Sequence, residues 1–199
     1  RRQRQMCIRD RSALLLSSAV LLGACGGNGS ADSSDDNSKS NNTDNAHKSS
    51  IALKDVSTDP KDAIKKAQNI YKDEKLKKIS FEKEHGDWAY KVEQQNAQKR
   101  EESEVVINDK DQKVASKEKE TDESNSTKKE FDYNDMKSYK DAIKAGQKKF
   151  DGEIGEWSLH RSDDKGKFVY DMDLKKGKEK HEITVDAKTG KVLSDERDD

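Results

Sequence analysis

The stretch KDAIK occupies residues 61–65 and returns at residues 140–144, 79 positions later. Lysine and aspartate are abundant here, so five letters alone decide little, but the surroundings repeat as well. In the first copy Asp59 is placed to cap a helix, Pro60 takes the first helical position and Asp62 lies in the first turn. Ser138, Tyr139 and Asp141 fill the same places in the second. A capping oxygen followed by an acid satisfies free amides and suits the positive helix end. Ala63, Ile64, Ala67, Ile70 and Tyr71 then recur at the spacing of one buried helix face, as do Ala142, Ile143, Gly146 and Phe150.

Past each helix the apolar period changes to two. Leu76, Ile79 and Phe81 correspond to Ile154, Trp157 and Leu159, and Trp88, Tyr90 and Val92 to Phe168, Tyr170 and Met172. Polar turns, EHGD and SDDKG, separate these runs. Val105 and Ile107 match Ile183 and Val185, and the copies close on INDKDQKVAS and VDAKTGKVLS. Alternation of this kind specifies strands with one buried face. The fold class expected is α+β: two tandem small units, each an N-terminal helix packed on an antiparallel three- to four-stranded sheet, joined by polar linkers. The units span residues 59–118 and 138–197, and the highly charged link at 119–137 favours independent beads.

Composition agrees with small cores. Of 199 residues 41% are charged and 29% hydrophobic, and 40 basic residues against 41 acidic ones leave a formal charge of −1. That balance argues against a nucleic-acid partner, which calls for a basic excess. The two cysteines, Cys7 and Cys25, both lie near the start, so the body holds no disulfide framework and no thiol-ligated metal.

Residues 1–25 read as a signal peptide. The apolar run at 13–24 is shorter than the roughly 20 residues that a membrane span requires and fits a leader. It ends in Leu22-Gly23-Ala24-Cys25, which resembles the lipobox of bacterial lipoproteins. The resemblance implies a diacylglyceryl thioether on Cys25 and cleavage before it. The protein is then held at the cell membrane, on its extracellular face, because two acyl chains anchor stably where one does not. MCIRDR at residues 6–11 resembles a translated sequencing adapter, so residues 1–11 are expected to be foreign and Cys7 to have no role. Residues 26–58 are Ser, Asp, Asn, Gly and Lys with almost nothing apolar, and read as a disordered tether. About 33 such residues span roughly 30 Å on average.

The repeat resembles the PepSY domain. That family carries A-I-x-x-A on a helix, an aromatic before alternating residues, and a terminal V-D-A-x-T-G-x-V. The second unit has DAIKAGQKKF, KFVYDMDL and ITVDAKTGKVLS; the first has DAIKKAQNIY, DWAYKVEQ and VVINDKDQKVAS. The first departs at its end, with Asn108 for the aspartate and Asp111-Gln112 for Thr-Gly. The resemblance implies a noncatalytic lipoprotein of Gram-positive, staphylococcal type whose domains bind a protein partner, regulating or inhibiting a secreted or surface protease. The alternative is a small-ligand or cation-binding module at the envelope, suggested by the acidic turns.

No catalytic residue, cofactor or metal site is nominated. There is no glycine-rich phosphate loop, no G-x-S-x-G and no H-E-x-x-H. His47, His85, His160 and His181 read as solvated, although His160 and His181 could approach across strands. Trp88, Tyr90, Trp157, Phe168 and Tyr170 follow the alternation of the buried face and read as core.

Overall fold

The computed structural model describes residues 49–121, 127–163 and 166–198. The leader, Cys25 and residues 26–48 of the expected tether lie outside the described residues. Among the described residues two α-helices and eight strands follow in the expected order. Helix α1 (Pro60–Ile70) starts at Asp59, whose side chain accepts from the Lys61 amide at 3.0 Å. Helix α2 (Tyr139–Gln147) starts at Ser138, whose hydroxyl accepts from the Asp141 amide at 3.2 Å. Their buried faces are Ala63, Ile64 and Ala67 in one, and Ala142, Ile143 and Gly146 in the other. Gly146 marks a close approach to the sheet: a Cβ there would lie 2.7 Å from Met172 Sδ.

The strands are β1 (Lys75–Glu84), β2 (Asp87–Asn96), β3 (Glu101–Asn108), β4 (Val114–Thr121), β5 (Glu153–Arg161), β6 (Phe168–Lys176), β7 (Glu179–Asp186) and β8 (Val192–Asp198). They form one antiparallel sheet in the order β4-β3-β2-β1-β5-β6-β7-β8. This corrects the expectation of separate sheets joined by polar linkers. The first strand of each repeat pairs with the other, Ile79 opposite Leu159 and Phe81 opposite Trp157. The physical reason is the edge: alone, each repeat would leave β1 or β5 unpaired beside an apolar row, and pairing them removes both edges.

The two halves share their registers. Tyr90 faces Ile107 as Tyr170 faces Val185, and Val92 faces Val105 as Met172 faces Ile183. Register shifts fall between Leu76 and Lys78 and between Ile154 and Glu156, and again between Val106 and Ile107 and between Thr184 and Val185. The sheet therefore reads the same outward from its middle, where Ser80 faces Ser158. Gln112 takes a φ of 58° in the turn where Gly190 takes 75°, so the departure from Thr-Gly keeps the left-handed turn without glycine's freedom.

Both helices cover one face, α1 over β1 and β2, α2 over β6 and β7. At the centre Trp157 stacks on Tyr139 (ring centroids 5.5 Å apart) and touches Tyr170 (5.9 Å), Tyr90 (6.1 Å) and Phe81 (6.4 Å). Of the aromatic set, Trp88, Tyr90, Trp157 and Tyr170 are core, and Phe168 is half-buried against it.

Segments ahead of the helices are ordered, which the sparse apolar residues there did not announce. Ile51 is buried and exchanges backbone hydrogen bonds with Ile154 at 2.8 and 2.9 Å, so the ordered body begins well before residue 58. Phe131, inside the expected charged link, donates its amide to the Leu76 carbonyl at 3.0 Å. Each half thus sends an arm across to the first strand of the other. Behind the arms, Tyr90 donates to the Thr58 carbonyl (2.6 Å) and Tyr170 to the Lys137 carbonyl (2.7 Å). Asp109 accepts from the amides of Ser57 and Thr58. Burial pushes its carboxyl above the usual range, and those amides only partly offset it.

Candidate functional site

Side chains alternate along a strand, so the registers fix which residues share the face that the helices leave open. In the middle lies the row Lys91, Ser80, Ser158, Asp171, Thr184. Lys91 Nζ lies 3.1 Å from Glu84, 3.6 Å from Glu82 and 4.0 Å from Glu104. Lys180 Nζ lies 2.8 Å from Asp173, 3.1 Å from Asp198 and 3.4 Å from Glu182. Each lysine is shared by three carboxylates. Partial burial pushes the Glu104 carboxyl up, with Lys91 opposing and Glu93 and Glu118 adding to the rise. Burial and the neighbouring Asp173 do the same to Glu156.

Near the middle of this face a serine, a histidine and an aspartate come together, which linear spacing had hidden. His160 Nδ1 lies 3.3 Å from Ser158 Oγ and its Nε2 3.5 Å from Asp171 Oδ2, while Thr184 Oγ1 donates to Asp171 Oδ1 at 2.6 Å. The residue types match a hydrolytic triad, but the setting does not support acyl transfer. Ser158 sits mid-strand between two partner strands, so its amide is used by the ladder and supplies no oxyanion donor. The 3.5 Å separation is an ion-pair distance rather than a directed hydrogen bond.

Burial holds the His160 imidazole below its ordinary pKa; Asp171, Glu93 and Asp163 oppose this and Lys78 adds to it. A depressed imidazole contributes stability above its unfolded pKa of about 6.5, and that stability is lost as pH falls through the folded value. His160→Gln is therefore expected to gain stability relative to the parent between about pH 7.5 and 5.5. Urea unfolding of both proteins at the two pH values measures the difference; parallel behaviour would place His160 in free solvent.

His160 and His181 do not approach. His181 lies on the helix-covered face, where its ring stacks on Phe150 (4.1 Å) and Nδ1 sits 2.7 Å from Asp195. The acidic turns are closed by their own chain: Asp186 accepts from the amides of Lys188 and Thr189, and the Asp111 and Lys113 side chains pair at 2.8 Å. Among the described residues no three His, Cys, Asp or Glu side chains gather as a metal set. A cleft of about 680 Å³ lies beside α1, floored by Ile64, Leu76, Phe131 and Tyr133 and rimmed by Lys61 and Lys65. Glu74 lines it too, but its carboxylate is occupied by the Ser103 hydroxyl and by Lys119 at 3.3 Å. Cys25, the lipidation site expected from the sequence, lies outside the described residues.

Comparison with known proteins matches part of the chain to a family. Residues 137–196 match the family described as peptidase propeptide and YPEB domain, PepSY. A crystal structure of a candidate lipoprotein from Clostridium difficile 630 is similar, with a TM-score of 0.67 and 25% identity. The match covers 76% of this chain and 100% of that one. No curated protein matches the chain. PepSY domains are generally noncatalytic propeptide or regulatory modules. Among the described residues no helix is long and apolar enough to cross a membrane. The second half of the sheet, with the helix that opens it, is the part of the chain that matches the PepSY domain.

Proposed function

We propose that this chain is a noncatalytic envelope lipoprotein, anchored through lipid on Cys25 at the extracellular side of the membrane, whose PepSY domain binds and restrains a secreted or surface protease. The observation that carries the reading is the PepSY match at residues 137–196, a family of propeptide and regulatory modules. The similar fold of a candidate lipoprotein and the Leu22-Gly23-Ala24-Cys25 motif support the anchor. We assign residues 59–118 as a second PepSY unit, on the shared registers and the shared turn at Gln112 and Gly190.

The full chain in non-ionic detergent is expected to co-precipitate a co-secreted metalloprotease and to slow its cleavage of a peptide substrate. Unchanged cleavage by every secreted protease of the host, with nothing co-precipitated, would end the reading.

A further inference from the structure

The open sheet face carries two rows of carboxylates. Glu93, Glu104 and Glu118 stand directly opposite one another across β2, β3 and β4. Asp173, Glu182 and Glu196 do the same across β6, β7 and β8. The rows occupy matching positions: Glu93 and Asp173 each follow the core tyrosine of their strand by three residues, and Glu104 and Glu182 each precede a core residue, Val105 or Ile183. Like charges directly opposed across strands destabilise a sheet, and alternating signs would serve a merely solvated face better. Lys78 stands opposite Glu93 and pairs with it at 3.2 Å. The remaining lysines do not cancel the rows, because Lys91 and Lys180 are each divided among three carboxylates, and Glu156 extends the second row opposite Asp173. The cost appears in both halves at the same place, on the face that neither helix covers.

We infer that this face docks a protein bearing a basic surface, with the two carboxylate rows meeting two basic patches. The inference rests on the protein-binding reading above and names the chemistry of the partner. Charge complementarity selects it: an acidic face steers and admits a cationic surface and rejects an acidic one. The area suffices as well. Eight strands spaced about 4.8 Å apart make a face about 34 Å wide, and seven rungs make it about 23 Å long. Roughly 800 Å² is what one partner contributes to an interface of standard size.

The test uses the full chain in non-ionic detergent and a fluorescent twelve-lysine peptide as probe. One variant neutralises the rows (Glu104→Gln, Glu118→Gln, Glu182→Gln and Glu196→Gln). A control neutralises four acids elsewhere (Asp55→Asn, Asp62→Asn, Asp135→Asn and Asp151→Asn), so both carry the same net charge. The row variant is expected to bind the peptide roughly tenfold more weakly than the control, in line with lost charge pairing, and its unfolding midpoint is expected to stay level or rise. Equal affinity in the two variants overturns the inference, and a lowered midpoint in the row variant assigns the rows to the fold and overturns it too. Stabilisation of the parent by calcium ions, without peptide binding, makes the face a cation sink and has the same consequence. If the row variant still captures a protease that the parent captures, the protein-binding reading survives and this one does not.

Discussion

Trp157→Ala is expected to lose about 3–5 kcal/mol of stability, the range for truncating a buried aromatic. Its indole is 1% exposed and touches rings from both halves: Phe81 and Tyr90 from the first, Tyr139 and Tyr170 from the second. A cavity here opens at the β1–β5 seam, where the surrounding strands are held by pairing on both sides and cannot collapse inward. Total stability for a domain is about 5–15 kcal/mol, so this change removes a large share of it. The chain has two tryptophans, and the variant keeps only Trp88, which reports on the first half. Urea unfolding followed by Trp88 fluorescence is expected to move with unfolding followed by circular dichroism. A variant in which Trp88 keeps the parental midpoint would show that the halves unfold independently.

Replacing residues 49–58 with a glycine-serine sequence of equal length is expected to cost about 3–6 kcal/mol, from lost apolar burial and a lost buried hydroxyl hydrogen bond. The side chains of Ile51, Leu53 and Val56 leave the core, and the Asp109 carbonyl loses the Thr58 hydroxyl. The diagnostic effect is remote in sequence. The Ile154 amide, which donates to the Ile51 carbonyl at 2.9 Å, should exchange with solvent faster although residue 154 is untouched. Unchanged protection at Ile154 would mean that the arm does not dock there.

The elements themselves were readable before any coordinates. Asp59 and Ser138 cap their helices, the alternating residues lie on the buried face, and Gly190 takes the positive φ that its turn requires. These features are local, set by periodicity and capping chemistry within a few residues. Pairing of β1 with β5 was not readable, because alternation says which way a side chain points and nothing about which strand lies beside it. The arms escaped for a different reason: Ile51, Leu53 and Val56, like Phe131, Tyr133 and Met136, are runs too brief and too interrupted by charge to set up a period. The carboxylate rows are intermediate. Glu93, Glu104 and Glu118 are visible as letters, but they become a row only once two hairpin registers are known. The Ser158–His160–Asp171 group likewise needed the β5–β6 register to appear.

The docking of Ile51 on Ile154 has a mechanical consequence. Among the described residues, a pull from the N-terminal side meets first the side-chain contacts at Ser49 and Ser50 and then a single two-hydrogen-bond backbone bridge at Ile51. Such a bridge peels before the ladders behind it. Release frees the eight residues from 49 to 56, up to the amides of Ser57 and Thr58 that Asp109 holds; fully stretched they add about 28 Å of reach, and the carbonyl and amide of Ile154 are bared. If the lipid proposed on Cys25 fixes one end, shear flow across a cell surface would lengthen the leash before it unravels the sheet.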